Sequence, residues 1–132
     1  MSQFDSQRGQ RSPNSGADGR RLVGWLVSYG QNEMGASYEL RSGRCFISSA
    51  EVGEATILVD DEHVCSPHAA LKTSRKHAIV LQDVFSKYGT YLSKGDNKET
   101  RLAAPVNLEH GDWIRVGEST RFQVCIIDGP SK

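Results

Sequence analysis

The apolar residues of this chain come in short runs rich in Val, Ile, Tyr, Phe and Trp, and clusters of Gly, Asn, Asp or Ser interrupt them at roughly 8–12-residue intervals. No stretch sustains the 3.6-residue period with which a helix buries one face. A chain punctuated in this way has strands to pair and little else. The fold class it predicts is all-β, an antiparallel β-sandwich or barrel. Strands are expected over 22–29, 37–40, 44–48, 56–59, 68–72, 77–83, 90–92, 113–116 and 120–127. Segments 30–35 and 73–76 read as hairpin turns, 93–99 as a polar loop and 109–111 as a tight turn. Trp25 and Trp113 fall in strands and are expected in the core, as are the thiols of Cys45 and Cys125.

The length of 132 residues allows one such core. Residues 1–20 are built from Ser, Gln, Gly, Arg, Asn and Asp, with Met1, Phe4 and Ala17 as apolar exceptions, and are expected to form a disordered arm. The folded body is expected over 21–128, with 129–132 frayed. Sixteen Lys and Arg balance sixteen Asp and Glu, so there is no basic excess to attract nucleic acid. The longest apolar stretch, 22–27, is far too short for a hydrocarbon layer about 30 Å thick, so no membrane span is expected. The N-terminus lacks the apolar segment of a secretory signal. Three cysteines cannot all pair within one chain, and the expectation is reduced thiols in the cytoplasm.

Two patterns invite a chemical reading. His63, Cys65 and His68 form H-x-C-x-x-H, whose soft and imidazole ligands suit zinc, or whose thiol and imidazole suit a nucleophilic pair. No second pair of ligands supplies a fourth zinc position, and no Gly-rich loop supplies an oxyanion hole. A zinc or thiol site is therefore the third-ranked reading, and neither a metal, a cofactor nor an enzyme is expected. Lys72, Arg75, Lys76 and His77 make a basic hairpin tip, read as a solvated turn without the aromatic platform of a single-strand nucleic-acid binder.

Landmarks in fixed order carry a more specific signal. Ser37-Tyr38-Glu39-Leu40 stands shortly before Gly43, and Ile57-Leu58-Val59-Asp60-Asp61 is followed by Val64. Val64-Cys65-Ser66-Pro67-His68-Ala69-Ala70-Leu71 comes next, then Asp83, Ser86, Gly89 and Thr90, then Leu108, Gly111, Asp112, Ile114 and Gly117. In this order they resemble the forkhead-associated (FHA) domain, whose patterns are "I-x-L-D-D-x-x-V", "V-S-R-x-H-A-x-I", "D-x-x-S-x-N-G-T" and "L-x-x-G-D-x-I-x-x-G". The resemblance implies an antiparallel sandwich of about eleven strands that binds phosphothreonine peptides through loops at one end. It also implies that His68 and Asp83 brace those loops.

The resemblance implies as well which contacts are altered. In that family an Arg at the end of the third strand and a Ser before the fifth grip the phosphate, and an Asn after the sixth holds the ligand backbone. Setting Ile47 on the family's "I-G-R" puts Ser48 at the Gly and Ser49 at the Arg. The Ser position then holds Cys65, the following Arg holds Ser66, and the Asn holds Tyr88. A second placement sets Gly43-Arg44 on the "G-R" and makes Arg44 the phosphate contact. A phosphate dianion calls for charge-assisted donors, which Arg provides as a fork. Serine brings no charge and a thiol is a weak donor. Lys87 is the nearby cation, while Asp60, Asp61 and Glu62 oppose an anion.

The function expected is therefore non-catalytic: an FHA-like signalling or adaptor module docking a protein or peptide partner. Its ligand-binding residues are expected to be Ser48, Ser49, Cys65, Ser66, Ser86, Lys87, Tyr88, Gly89 and Thr90, with phosphothreonine recognition weakened or lost. The alternative is a genuine phosphothreonine reader with an atypical site.

Overall fold

The computed structural model describes residues 19–30, 32–95 and 98–128. Most of the expected arm, and residues 129–132, expected to be frayed, thus lie outside the described residues. Eleven strands form: β1 (Leu22–Ser28), β2 (Ala36–Arg41), β3 (Gly43–Ser48), β4 (Ala55–Leu58), β5 (Ala69–Thr73), β6 (Ile79–Asp83), β7 (Thr90–Ser93), β8 (Glu99–Arg101), β9 (Val106–Asn107), β10 (Trp113–Val116) and β11 (Thr120–Ile126). They make a six-stranded sheet in the order β2-β1-β11-β10-β7-β8 and a five-stranded sheet in the order β4-β3-β5-β6-β9. Every neighbouring pair is antiparallel except β3 and β4, which run parallel, with Ile47 beside Ile57. Two short strands, β8 and β9, add to the nine expected. No helix among the described residues is long and apolar enough to cross a membrane.

Alternation fixes which side of each strand meets the other sheet. Leu26, Val124, Phe122 and Ile114 project from the six-stranded sheet onto Ile47, Leu71, Ile79 and Leu81 of the five-stranded one, and all are fully buried. Each such side chain contributes about 1.5–3 kcal/mol on leaving water. The edge of Tyr38 meets the ring of Phe122 at 5.9 Å. Cys45 packs against this core, and burial pushes its thiol pKa up to about 11.

The same parity corrects one expectation. Because Leu26 and Ile114 face inward, their neighbours Trp25 and Trp113 face outward, opposite Cys125 and Gln123 of β11. Both tryptophans and Cys125 lie half-buried on the outer face of the six-stranded sheet, not in the core.

β1 enters the sheet at a register shift between Leu22 and Gly24. A Cβ at Gly24 would lie 2.1 Å from the Cys125 carbonyl oxygen, so only glycine admits the neighbouring strand there. At this end of the sandwich Arg20 Nε donates to the Ser42 carbonyl at 3.0 Å. Arg21 Nε donates to His77 Nε2 at 3.0 Å, which leaves the ring proton on Nδ1 to donate to the Ile127 carbonyl at 2.8 Å. The turn between β5 and β6 thereby clasps both flanks of the β1–β11 pair. At the other end the connections 59–68, 84–89, 102–105 and 117–119 come together with Ser49 and Ala50, after which the chain runs back along β3 to Glu54, beside Arg44.

Candidate functional site

The loop after β3 is fastened to the one before β5. Ser49 donates its N–H to the Cys65 carbonyl at 3.1 Å, and His68 donates its own to the Ile47 carbonyl at 2.9 Å. The buried Ser48 hydroxyl donates to the Ala50 carbonyl at 2.6 Å and lies 3.1 Å from the Ser66 hydroxyl. Ser48 is thus spent on holding the two loops together. Ser49 and Ser66 stand exposed above it.

His68 has no solvent exposure and links three segments. Its Nδ1 accepts the Cys65 N–H at 3.0 Å. That acceptance places the ring proton on Nε2, which donates to the Gly89 carbonyl at 2.8 Å. Its carbonyl accepts the Val84 N–H at 3.0 Å. Both ring nitrogens are therefore occupied by backbone groups. Among the described residues no group of three or more His, Cys, Asp and Glu side chains could hold a metal ion.

Asp83, at the end of β6, organises the next loop. Its carboxylate accepts the Ser86 N–H at 3.1 Å, the Ser86 hydroxyl, and the Thr90 hydroxyl at 2.6 Å. Burial works to raise its pKa, but the bonds from Ser86 and Thr90 prevail and hold it below the usual carboxylate value. The Ser86 hydroxyl in turn accepts the Gly89 N–H at 2.9 Å. Ser86 and Thr90 therefore point into the loop's own scaffold.

Lys87 and Tyr88 complete the surface. Lys87 donates its N–H to Cys65 Sγ at 3.3 Å, and its ammonium sits 5.5 Å from the Tyr88 ring centroid. The edge of His63 meets Tyr88 at 4.8 Å. Beyond His63 the rim is acidic: Asp60, Asp61, Glu62 and Glu118 border a hollow of about 280 Å³. Burial works to raise the Asp61 pKa, but the His63 N–H and the Thr120 hydroxyl outweigh it and the pKa is lowered, so the rim keeps its charge.

Ser49, Cys65, Ser66, Lys87 and Tyr88 are thus brought together at one end. Arg44 is not. It opens β3 opposite Lys72, at the far end of the strand from Ser48, and its guanidinium grips Glu54 at 2.9 and 3.1 Å. Four residue steps along the strand separate it from Ser48, about 13 Å at 3.3 Å per step.

Two residues at this end escaped the sequence reading. Arg101, at the end of β8, lays its side chain along Gly89, whose absent Cβ would lie 2.6 Å from Arg101 Nε. Gly89 also has φ +89°, so it is glycine on both counts. Phe85 is fully exposed and has φ +53°, a left-handed backbone that bulky residues avoid. The signal for Phe85 was its place two residues beyond the end of an expected strand. Nothing short of the fold signals Arg101, which follows a polar loop. A depression of about 720 Å³ lies elsewhere, between β7, β8, β10 and β11 on the outer sheet face.

Comparison with known proteins gives one sequence-family match, to the FHA domain, over residues 39–117. No curated protein matches the chain. Among solved structures, the FHA domain of an Arabidopsis thaliana hypothetical protein is 25% identical, with a TM-score of 0.67 over 85% of this chain and 92% of that one. An FHA domain from Chlamydia trachomatis is 21% identical, with a TM-score of 0.64 over 77% and 96% of the two chains. The FHA domain of human APLF, solved in complex with an XRCC1 bisphospho peptide, is 16% identical, with a TM-score of 0.63 over 80% and 99%. The last two share the fold. The family match covers well over half of the chain and takes in the third to the tenth strand, from which the loops at the exposed end spring, and on that ground this protein is a member of the FHA domain family.

Proposed function

We propose that this domain is a non-catalytic interaction module, a signalling or adaptor component of the cytoplasm. It docks a protein partner through Ser49 and Ala50 after β3 and loops 59–68 and 84–89, without depending on phosphothreonine. One observation carries the reading. Where a phosphate would need charge-assisted donors, the loops present the Ser49 hydroxyl and a Cys65 sulfur already accepting the Lys87 N–H, while Arg44 is bonded to Glu54 at the other end. In this reading Ser49, Cys65, Ser66, Lys87, Tyr88 and Gly89 form the contact surface, and Ser48, His68, Asp83, Ser86 and Thr90 support it. The three free thiols fit a reducing compartment.

A second reading, a phosphothreonine reader with an atypical site, is favoured by the bisphospho peptide bound to the human neighbour and by Lys87 lying beside Cys65. Matched phosphothreonine and unphosphorylated peptides separate the two. The first reading expects equal binding, both weaker than about 100 μM or roughly 5.5 kcal/mol. It also expects Ser49→Arg, Cys65→Ser and Tyr88→Asn together to create a phosphate preference that added salt weakens. A tenfold preference in the unaltered protein would establish the second reading instead.

A further inference from the structure

At the exposed end, on the side away from the acidic rim, two side chains stand ready for a ligand that the supporting network does not use. Arg101 is the first. Arg20, Arg21, Arg41, Arg44, Arg75, Arg115 and Arg121 each hold a hydrogen-bond or ion-pair partner. Among the described residues the Arg101 side chain makes no hydrogen bond and no ion pair, although its position is set by its lying against Gly89. Phe85 is the second. It is fully exposed, and the residues on both sides are tied down, Val84 to the His68 carbonyl and Ser86 to Asp83. Between Phe85 and the crossing segment Leu102, Ala103, Ala104 and Pro105 runs a groove of about 330 Å³, also lined by Gln82 and by Asp83, whose carboxylate is already bonded to Ser86 and Thr90. A wholly exposed aromatic ring on a pinned backbone, beside a groove walled by Leu102, Ala103, Ala104 and Pro105, is the composition of an interface anchor, not of an ordinary surface.

We propose that Phe85 and Arg101 form a recognition edge for a partner segment in which a carboxylate side chain adjoins an aromatic or aliphatic one. The apolar residue enters the groove beside Phe85, and the carboxylate takes the guanidinium fork of Arg101. A single unpaired guanidinium matches a single negative charge, and the Ser86 and Thr90 hydroxyls of the adjoining loop are already bonded to Asp83. The acidic rim of Asp60, Asp61, Glu62 and Glu118 lies on the other side of Tyr88. Charge complementarity therefore orients the segment, its anionic residue toward β8 and any cationic residue toward that rim. The proposal rests on the reading of the domain as an interaction module and names the chemistry of its partner.

The test uses the whole chain and arrays of nine-residue peptides with a central Glu, Gln or phosphothreonine and varied flanks. Binders are expected to carry Phe, Leu, Ile or Met within two residues of Glu and to favour Glu over Gln by fivefold or more. Arg101→Gln should abolish that preference, and Arg101→Lys should keep part of it. Phe85→Ser should weaken Glu and Gln peptides alike by about tenfold, leaving their ratio unchanged. Both positions are exposed, and an unchanged amide spectrum of each variant excludes misfolding as the cause of any loss. The proposal is overturned if Arg101→Gln retains the preference, if phosphothreonine peptides bind tenfold better than Glu peptides, or if no peptide binds. If Tyr88→Ala weakens binding while the Phe85 and Arg101 variants do not, this edge is wrong and the module reading survives. If none of the three matters, both fall.

Discussion

Replacing His68 with alanine should remove more than one hydrogen bond's worth of stability. The imidazole is fully buried and joins the Cys65 N–H at 3.0 Å to the Gly89 carbonyl at 2.8 Å. Its loss leaves the buried Gly89 carbonyl unpaired, which costs about 1–3 kcal/mol. The part-buried Cys65 N–H, nearer water, adds about 1 kcal/mol. The vacated ring space adds roughly 1 kcal/mol more, below the range for large aliphatic truncations because polar walls admit water. The total is about 3–5 kcal/mol, a large share of the roughly 5–15 kcal/mol that holds a domain folded. With a urea slope of about 1.5 kcal/mol per molar, the unfolding midpoint should fall by roughly 2–3 M. Urea titration followed by tryptophan fluorescence, on wild type and His68→Ala, measures this directly. A fall of less than about 0.5 M, with an unchanged slope, would refute the bracing role assigned to the ring.

Asp83 should make the domain acid-sensitive. Its folded-state pKa lies below the unfolded value, so its contribution is complete above about pH 4 and drains away as pH falls through the lower folded value. Asp83→Asn should flatten that part of the stability profile, and melting curves between pH 2 and about pH 6 check it. Gly24→Ala should cost at least about 2 kcal/mol, because a Cβ cannot sit 2.1 Å from the Cys125 oxygen without separating β1 from β11. A melting temperature within about 2 °C of wild type would show that the strands can part cheaply.

Most of the strands were legible because they alternate, and the exceptions show where alternation stops informing. β8 reads Glu-Thr-Arg with all three residues exposed, and β9 has only Val106 and Asn107, so neither carries a periodic signal. The parallel run of β4 beside β3 was hidden because a six-residue connection resembles a hairpin loop. Trp25 and Trp113 were misjudged because hydrophobicity marks a strand without saying which side is inward. Only the inward burial of their chain neighbours Leu26 and Ile114 settles that. The gathering of Ser49, Cys65, Ser66, Lys87 and Tyr88 follows from loops adjoining strands that pair. Arg101 lies far from Gly89 along the chain, and only the β7–β8 pairing brings it there. The distance from Arg44 to Ser48 was legible in principle, since strand residues advance by about 3.3 Å each.

The clasp of Arg21, His77 and Ile127 gives the domain a mechanical character. β1 and β11 are antiparallel neighbours, and the chain enters the one and leaves the other at the same end. Tension applied through both ends pulls across the hydrogen-bond ladder, loading its rungs in succession from Gly24 and Ile126 inward. The clasp takes the load first. Once it yields, the pair opens like a zipper at low force. Tension between one end and a partner held on the opposite loops runs along the strands instead, and loads the rungs together. The domain is therefore built to resist being drawn off its partner better than being stretched between its own two ends.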